Sequence, residues 1–228
     1  MPRVNTSHAL WKRSVSQAIR VCVLFIGAGT LNWTRGWIYS IALVGAMQAV
    51  GLVLSYLNPE VLQARAVWRR PGTKAFDKFI LAILVPATLL QPAIAGADVV
   101  RFHWSSMPFW LVYPGVALLG VGSWFMGWSL AANPNAEPTV RIQADRGQRT
   151  VMSGPYRFLR HPMYAGSCLF YAAPPLILGS QWALIVSGLI TMLLLLRTAA
   201  EDRVLQRELP GYDLYARQTK YRLIPGLW

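Results

Sequence analysis

Two stretches of this 228-residue sequence hold side chains whose types and spacing could do chemistry. The first runs Ser153-Gly154-Pro155-Tyr156-Arg157-Phe158-Leu159-Arg160-His161-Pro162-Met163-Tyr164-Ala165-Gly166. A turn leads into an aromatic and basic segment, and Pro162 stands where a helix would begin, giving up an amide that has no intrahelical partner there. The free amides of such a helix start face whatever ligand lies in front of them, but the same string also suits an interfacial anchor. The second stretch is Arg197-Thr198-Ala199-Ala200-Glu201-Asp202, directly after the apolar run Leu193 to Leu196. Arg197 and Glu201 are four apart and share one helical face. They form either an exposed pair worth roughly a few tenths of a kcal/mol, in the weaker cation-first order, or a functional pair facing a cavity. Spacing leaves both open.

Other chemical signatures are missing. There is no P-loop, no HExxH and no Gly-x-Ser-x-Gly, and Gly120-Val121-Gly122 sits inside an apolar run, where close helix packing is its natural use. His8, His103 and His161 lack ligand spacing, so no metal site is expected. Cys22 and Cys168 both lie in apolar runs and give neither a disulfide framework nor a redox compartment.

The elements that must position these residues are helices in a bilayer. Residues of the AVILMFWYC class make up 54% of the chain and charged residues only 14%, against about 25% in soluble domains. Apolar runs near the ~20 residues that cross a membrane occur at 17–33, 36–57, 76–97, 108–132, 162–178 and 181–197. Pro174-Pro175 should break or kink the fifth, and Gly179-Ser180 makes the last two a tight helical hairpin. The expected fold is all-α and polytopic, with five to six membrane segments.

The net charge of +13 raises the question of nucleic acid. Sorting the cations by segment answers it. With both termini in the cytoplasm, 20 of the 22 Lys and Arg residues fall on the inner side, Arg3, Arg20 and Arg69 among them, as cytoplasmic loops require. No nucleic-acid partner is expected. Trp33, Trp37, Trp104, Trp110 and Trp182 fall at the outer span ends, where indoles favour the interface. Met1 to Arg20 lacks a compact apolar core with a cleavage site, and reads as a retained cytoplasmic start. Residues 58–75 suit either a surface amphipathic stretch or a solvated basic loop. Polar sequence thus gathers at one membrane face, which divides the chain into membrane helices at 1–132 and a site-bearing region at 133–228.

Taken together, Gly154-Pro155-Tyr156, Arg160-His161-Pro162-x-Tyr164-x-Gly166, Arg197-x-x-x-Glu201, Gly211-Tyr212-x-x-Tyr215 and Ile224-Pro225 resemble the isoprenylcysteine carboxyl methyltransferase family of integral-membrane enzymes. Asn58-Pro59-Glu60 and the Asn133-Pro134, Arg141-Ile142-Gln143 and Asp145-Arg146-Gly147 strings are similar to bacterial members. The resemblance is strongest over 133–228. It implies S-adenosylmethionine as cofactor, bound on the cytoplasmic side. Gln143, Gln148, Arg149, Thr150, Val151, Tyr156, His161, Pro162, Met163, Tyr164 and Glu201 would contact the cofactor, and Arg197 would meet the substrate. Arg197 and Glu201 are thus the expected catalytic residues. Asp202 stands where the family commonly has a second Glu, a departure that leaves the cofactor contact at Glu201 untouched.

Methyl transfer demands positioning more than acid-base power. A carboxylate acceptor is already ionised at neutral pH and needs no base, and the Arg197 guanidinium could fork onto its two oxygens. The leading expectation is therefore carboxyl O-methylation of an apolar or lipid-attached, isoprenylcysteine-like acceptor, with membrane lipids as surroundings. The alternatives are methylation of a small thiol or a phospholipid amine on the same architecture, or a non-enzymatic membrane scaffold or transporter. For a thiol, His161 is the one base the sequence offers.

Overall fold

A computed structural model describes residues 6–68 and 70–228, so Arg3 and Arg69 of the inner-side charge count lie outside the described residues. The chain forms α1 (Thr6–Ala28), α2 (Thr34–Leu57), α3 (Pro59–Ala64), α4 (Ala75–Gly96), α5 (Val112–Ala132), α6 (Pro162–Leu178), α7 (Gln181–Glu208) and α8 (Tyr212–Gln218). A π-turn at Ala97–Arg101 extends α4, and a 3-10 turn at Phe109–Leu111 leads into α5. No strand occurs among the described residues. Among the described residues, four helices are long and apolar enough to cross a membrane: α2, α4 with its extension, α5 with its leading turn, and α7. The helices α1 and α6 do not meet that measure, α1 because polar residues interrupt it and α6 because it has 17 residues.

The first apolar run marks only part of its helix. Hydropathy sees the apolar stretch from residue 17, but nothing before Gly27 disfavours helix, and α1 starts at Thr6. Arg20, which the charge count sets before the first membrane segment, is in the body of α1 against α4. Its burial has a specific cause. Pro92 lacks the amide that would pair with the carbonyl of Thr88 one turn earlier, and Arg20 Nη1 donates to that carbonyl at 2.9 Å.

The same compensation explains why Pro174-Pro175 does not end α6, which continues to Leu178. Pro175 frees the carbonyl of Tyr171, and Gln91 Nε2 and Ser187 Oγ donate to it at 3.0 and 2.8 Å from α4 and α7. Buried polar side chains thus close the gaps that proline opens, as a low-dielectric interior requires.

Small residues set the closest approaches. On α5, a Cβ at Gly122 would lie 2.6 Å from the amide nitrogen of Phe170 and 2.7 Å from the carbonyl of Gly166 on α6, so the two backbones touch through glycine. Gly120 has nothing within 4 Å and plays no part in that contact. The α6–α7 hairpin turns at Gly179, with φ of 83°, and Ser180 caps α7 by accepting from the Ala183 amide. At the bundle end where α2 and α5 finish and α4 and α6 begin, α3 is capped by Asn58, whose side chain also donates to the carbonyl of Leu130 at 3.1 Å. This end carries the long 133–161 connection, and the site lies in it.

Candidate functional site

The 133–161 connection has almost no regular structure, so its backbone groups must be held by side chains. Glu137 is the centre. Its carboxylate is fully buried and takes Arg141 Nε and Nη2 at 2.7 and 3.0 Å, with Arg146 at 3.5 Å. Arg141 also holds Asp145 at 2.7 Å. Hydrogen bonds to Glu137 and Asp145 raise the Arg141 guanidinium above its ordinary value, and the same bond lowers the Asp145 carboxyl. Gln143 donates to the carbonyl of Asn135 at 2.6 Å, while its own amide donates to Gln148 Oε1 at 2.8 Å. Asn133 donates to the Tyr156 hydroxyl at 3.1 Å. The loop is therefore braced before any ligand arrives.

Its exit is fixed from the far end of the chain. The amides of Arg160 and His161 donate to the carbonyls of Tyr221 and Arg222 at 2.9 and 3.0 Å, and α6 starts at Pro162. Asp202, fully buried on α7, gathers the surrounding donors: His161 Nε2 at 3.2 Å, Tyr212 Oη at 3.0 Å, Gln206 Nε2 at 2.7 Å and Arg222 Nε at 2.8 Å. Burial and the Asp202 charge push the Tyr212 hydroxyl well above its ordinary value. Nothing in the sequence marks Asp202 for this role: its acidic type is visible, but Arg222 and His161 lie 20 and 41 residues away.

Glu201 and Arg197 do not pair with each other. The Tyr164 hydroxyl donates to Glu201 Oε2 at 2.5 Å. Arg197, 6% exposed, puts Nε and Nη2 on Asp77 of α4 at 2.7 and 3.3 Å, and Nη2 also donates to the carbonyl of Pro138 at 2.6 Å. The exposed i, i+4 pair is thereby excluded, and so is a guanidinium fork free for both oxygens of a substrate. Nearby, Arg65 donates to the carbonyls of Ala136 and Glu137. Burial, reinforced by the Arg197 charge, pushes its guanidinium down to about 10.

These groups surround one cavity of about 840 Å³, its open mouth included. Of the residues expected to touch cofactor or substrate, Gln143, Gln148, Arg149, Thr150, Val151, Tyr156, His161, Met163, Tyr164, Arg197 and Glu201 line it. Pro162 does not; it is buried as the first residue of α6. Residues given no site role from the sequence line it too: Asn133, Arg160, Tyr212 and Tyr215, which belong to the motif strings, and Asn135 and Glu137, which do not. Three polar atoms on the wall, Arg197 Nη1, Glu201 Oε1 and His161 Nδ1, take no hydrogen bond among the described residues, yet none is sealed from accessible space. A cation edge, a carboxylate oxygen and a ring nitrogen thus stand open beside tyrosine rings. That donor and acceptor set fits a ligand with amino, hydroxyl and carboxylate groups.

The family model for phospholipid methyltransferase matches residues 110–210, from the lead-in to α5 through the braced loop and α7. No curated protein matches the chain. A methyltransferase-family match across the site, together with four helices able to cross a membrane, supports an integral-membrane methyltransferase.

Proposed function

We propose that this protein is an S-adenosylmethionine-dependent methyltransferase of the membrane, acting on an apolar or lipid-attached acceptor. The observation that carries the reading is the single cavity in which the braced 133–151 loop, the start of α6 and the end of α7 meet. Gln143, the 148–151 run, Tyr156, the 161–164 turn and Glu201 would hold the cofactor, Glu201 Oε1 being free for its hydroxyl or amino groups. The cofactor, when bound, supplies a sulfonium methyl: the S–CH3 bond breaks to a neutral thioether as the acceptor's bond to that carbon forms.

The chain's own part is positioning. Arg197 offers Nη1 at the boundary between apolar helix and polar loop, where the carboxylate of a lipid-like, isoprenylcysteine-type acceptor can be oriented. Such an acceptor is ionised at neutral pH and needs no base. The cofactor would enter from the cytoplasmic side, and the excess of Lys and Arg at this end of the bundle supports that orientation. Helices of 1–132 would serve mainly as membrane scaffold and 133–228 as the catalytic region.

A second reading, methylation of a phospholipid amine, is favoured by the family match and by His161. Backed by Asp202 at Nε2, His161 keeps Nδ1 open to accept the proton an ammonium head group must lose. Methyl-labelled cofactor incubated with the protein and matched membrane extract separates the two. Base-labile label marks an ester and base-stable label an N-methyl group. Failure to bind S-adenosylhomocysteine at millimolar concentration, by calorimetry in detergent, would overturn both and leave a scaffold or transporter.

A further inference from the structure

The Arg197 fork is occupied before any acceptor arrives. Asp77 stands in the first turn of α4, 0% exposed and outside the matched segment 110–210. Its Oδ1 takes Arg197 Nε at 2.7 Å, and its Oδ2 takes both Arg197 Nη2 at 3.3 Å and the amide of Val140 at 2.8 Å. The Val140 carbonyl in turn accepts the Lys74 amide at 3.0 Å. One carboxylate therefore ties α4, α7 and the inner edge of the cofactor-side loop together and, with the Pro138 carbonyl that takes Nη2 at 2.6 Å, leaves Arg197 a single open nitrogen, Nη1.

We propose that Asp77 is a positioning residue of the methyl-transfer site, holding Arg197 by one edge so that an acceptor carboxylate is gripped at one oxygen only. The inference rests on the carboxyl reading above. Its chemistry is specific. A two-oxygen grip would engage both acceptor oxygens in charge-assisted hydrogen bonds and lower the nucleophilicity of each. A one-oxygen grip orients the group and leaves the other oxygen free to attack. Because the Asp77 carboxylate already matches the Arg197 charge, the grip on the ionised acceptor is also moderate, and binding is not concentrated in the ground state.

The test uses full-length protein in detergent and N-acetyl-S-dodecylcysteine, a carboxylate on an apolar chain. In Asp77→Asn the charge that holds the Nε–Nη2 edge is lost, and Arg197 can turn that edge from the neutral amide to both oxygens of the acceptor. KM for the probe should fall about fivefold and kcat about tenfold, the pattern of ground-state binding gained at the transition state's expense. Simple structural damage raises KM instead, and a raised or unchanged KM overturns the proposal. A binding readout needs no turnover. With S-adenosylhomocysteine present, the native protein should bind the probe and its carboxamide within about tenfold of each other, and Asp77→Asn should widen the gap about tenfold in favour of the carboxylate. A native preference for the carboxylate above about a hundredfold overturns the proposal, even if Asp77→Asn cannot be recovered folded. Native protein that makes no labelled ester fails the carboxyl reading itself, a result distinct from native turnover that Asp77→Asn leaves unchanged.

Discussion

The ring of His161 and the carboxylate of Asp202 meet at 3.2 Å although 41 residues separate them, and the carboxylate is fully buried at that meeting point. Arg160 and Arg222 share it, at 3.5 and 2.8 Å. Removing the acid leaves these cations beside an uncompensated cavity, a change that costs about 3–5 kcal/mol. Asp202→Ala should therefore lower the melting temperature sharply in a detergent thermal scan. Asp202→Asn, which keeps shape and some hydrogen bonds, should lose less. Equal melting of all three proteins would remove Asp202 as the organising group.

Tyr164→Phe removes the hydroxyl that donates to Glu201 and keeps the ring. A hydrogen bond to a charged group is worth about 1.5–3 kcal/mol. Calorimetry should show S-adenosylhomocysteine affinity reduced by about one to two orders of magnitude, with a circular-dichroism spectrum like the native one. Unchanged affinity would separate Glu201 from the cofactor.

Gly120 and Gly122 form a matched pair for the helix packing. Gly122→Ala drives a methyl into the backbone of α6, with contacts of 2.6 and 2.7 Å, and overpacking of this kind costs about 1–3 kcal/mol or more. Gly120→Ala meets nothing within 4 Å and should be neutral or slightly stabilising through helix propensity. Thermal scans of the two variants that fail to separate would contradict the α5–α6 contact.

Burial pushes the Tyr156 hydroxyl up to about 12, against a model-compound value of 10.0, with the Asn133 hydrogen bond pulling the other way. Between these values the unfolded chain has lost the proton and the folded chain keeps it. Stability contributed by Tyr156 is thus complete below pH 10 and declines as pH rises toward 12, by about 1.4 kcal/mol per unit. Tyr156→Phe should flatten that part of the alkaline stability profile, measured by denaturant titration at successive pH values. A profile as steep as the native one would place the titration elsewhere.

The proline compensation makes a coupling prediction. Gln91→Leu removes a donor from the Tyr171 carbonyl, while Pro175→Ala gives that carbonyl an amide of its own. In a double-mutant cycle read by thermal unfolding, the loss from Gln91→Leu should be smaller by about 1 kcal/mol in the Pro175→Ala background. Strict additivity would show that Gln91 answers no gap in α6.

Much of the helical layout was legible because hydropathy periodicity reports which stretches an apolar solvent accepts. It could not show that α1 begins eleven residues before its apolar run, since helix formation needs no apolarity. Nor could Pro174-Pro175 reveal continuation, because the donors that make it tolerable, Gln91 and Ser187, stand on other helices. In the site, the local string 161–164 and the positions 197 and 201 were readable as motif. What Arg197 touches was not. Its partner Asp77 lies 120 residues away and reads in sequence as an ordinary acid in the first turn of a helix.

Arg197, Glu201 and Asp202 stand on one unbroken helix of 28 residues, which also carries the apolar stretch from Ala183 to Leu196. At about 1.5 Å per residue α7 is about 42 Å long, against an apolar bilayer thickness of about 30 Å. The excess is the polar end, so the side chains that meet the loop stand on the same rod whose apolar turns suit lipid, with no hinge between the two.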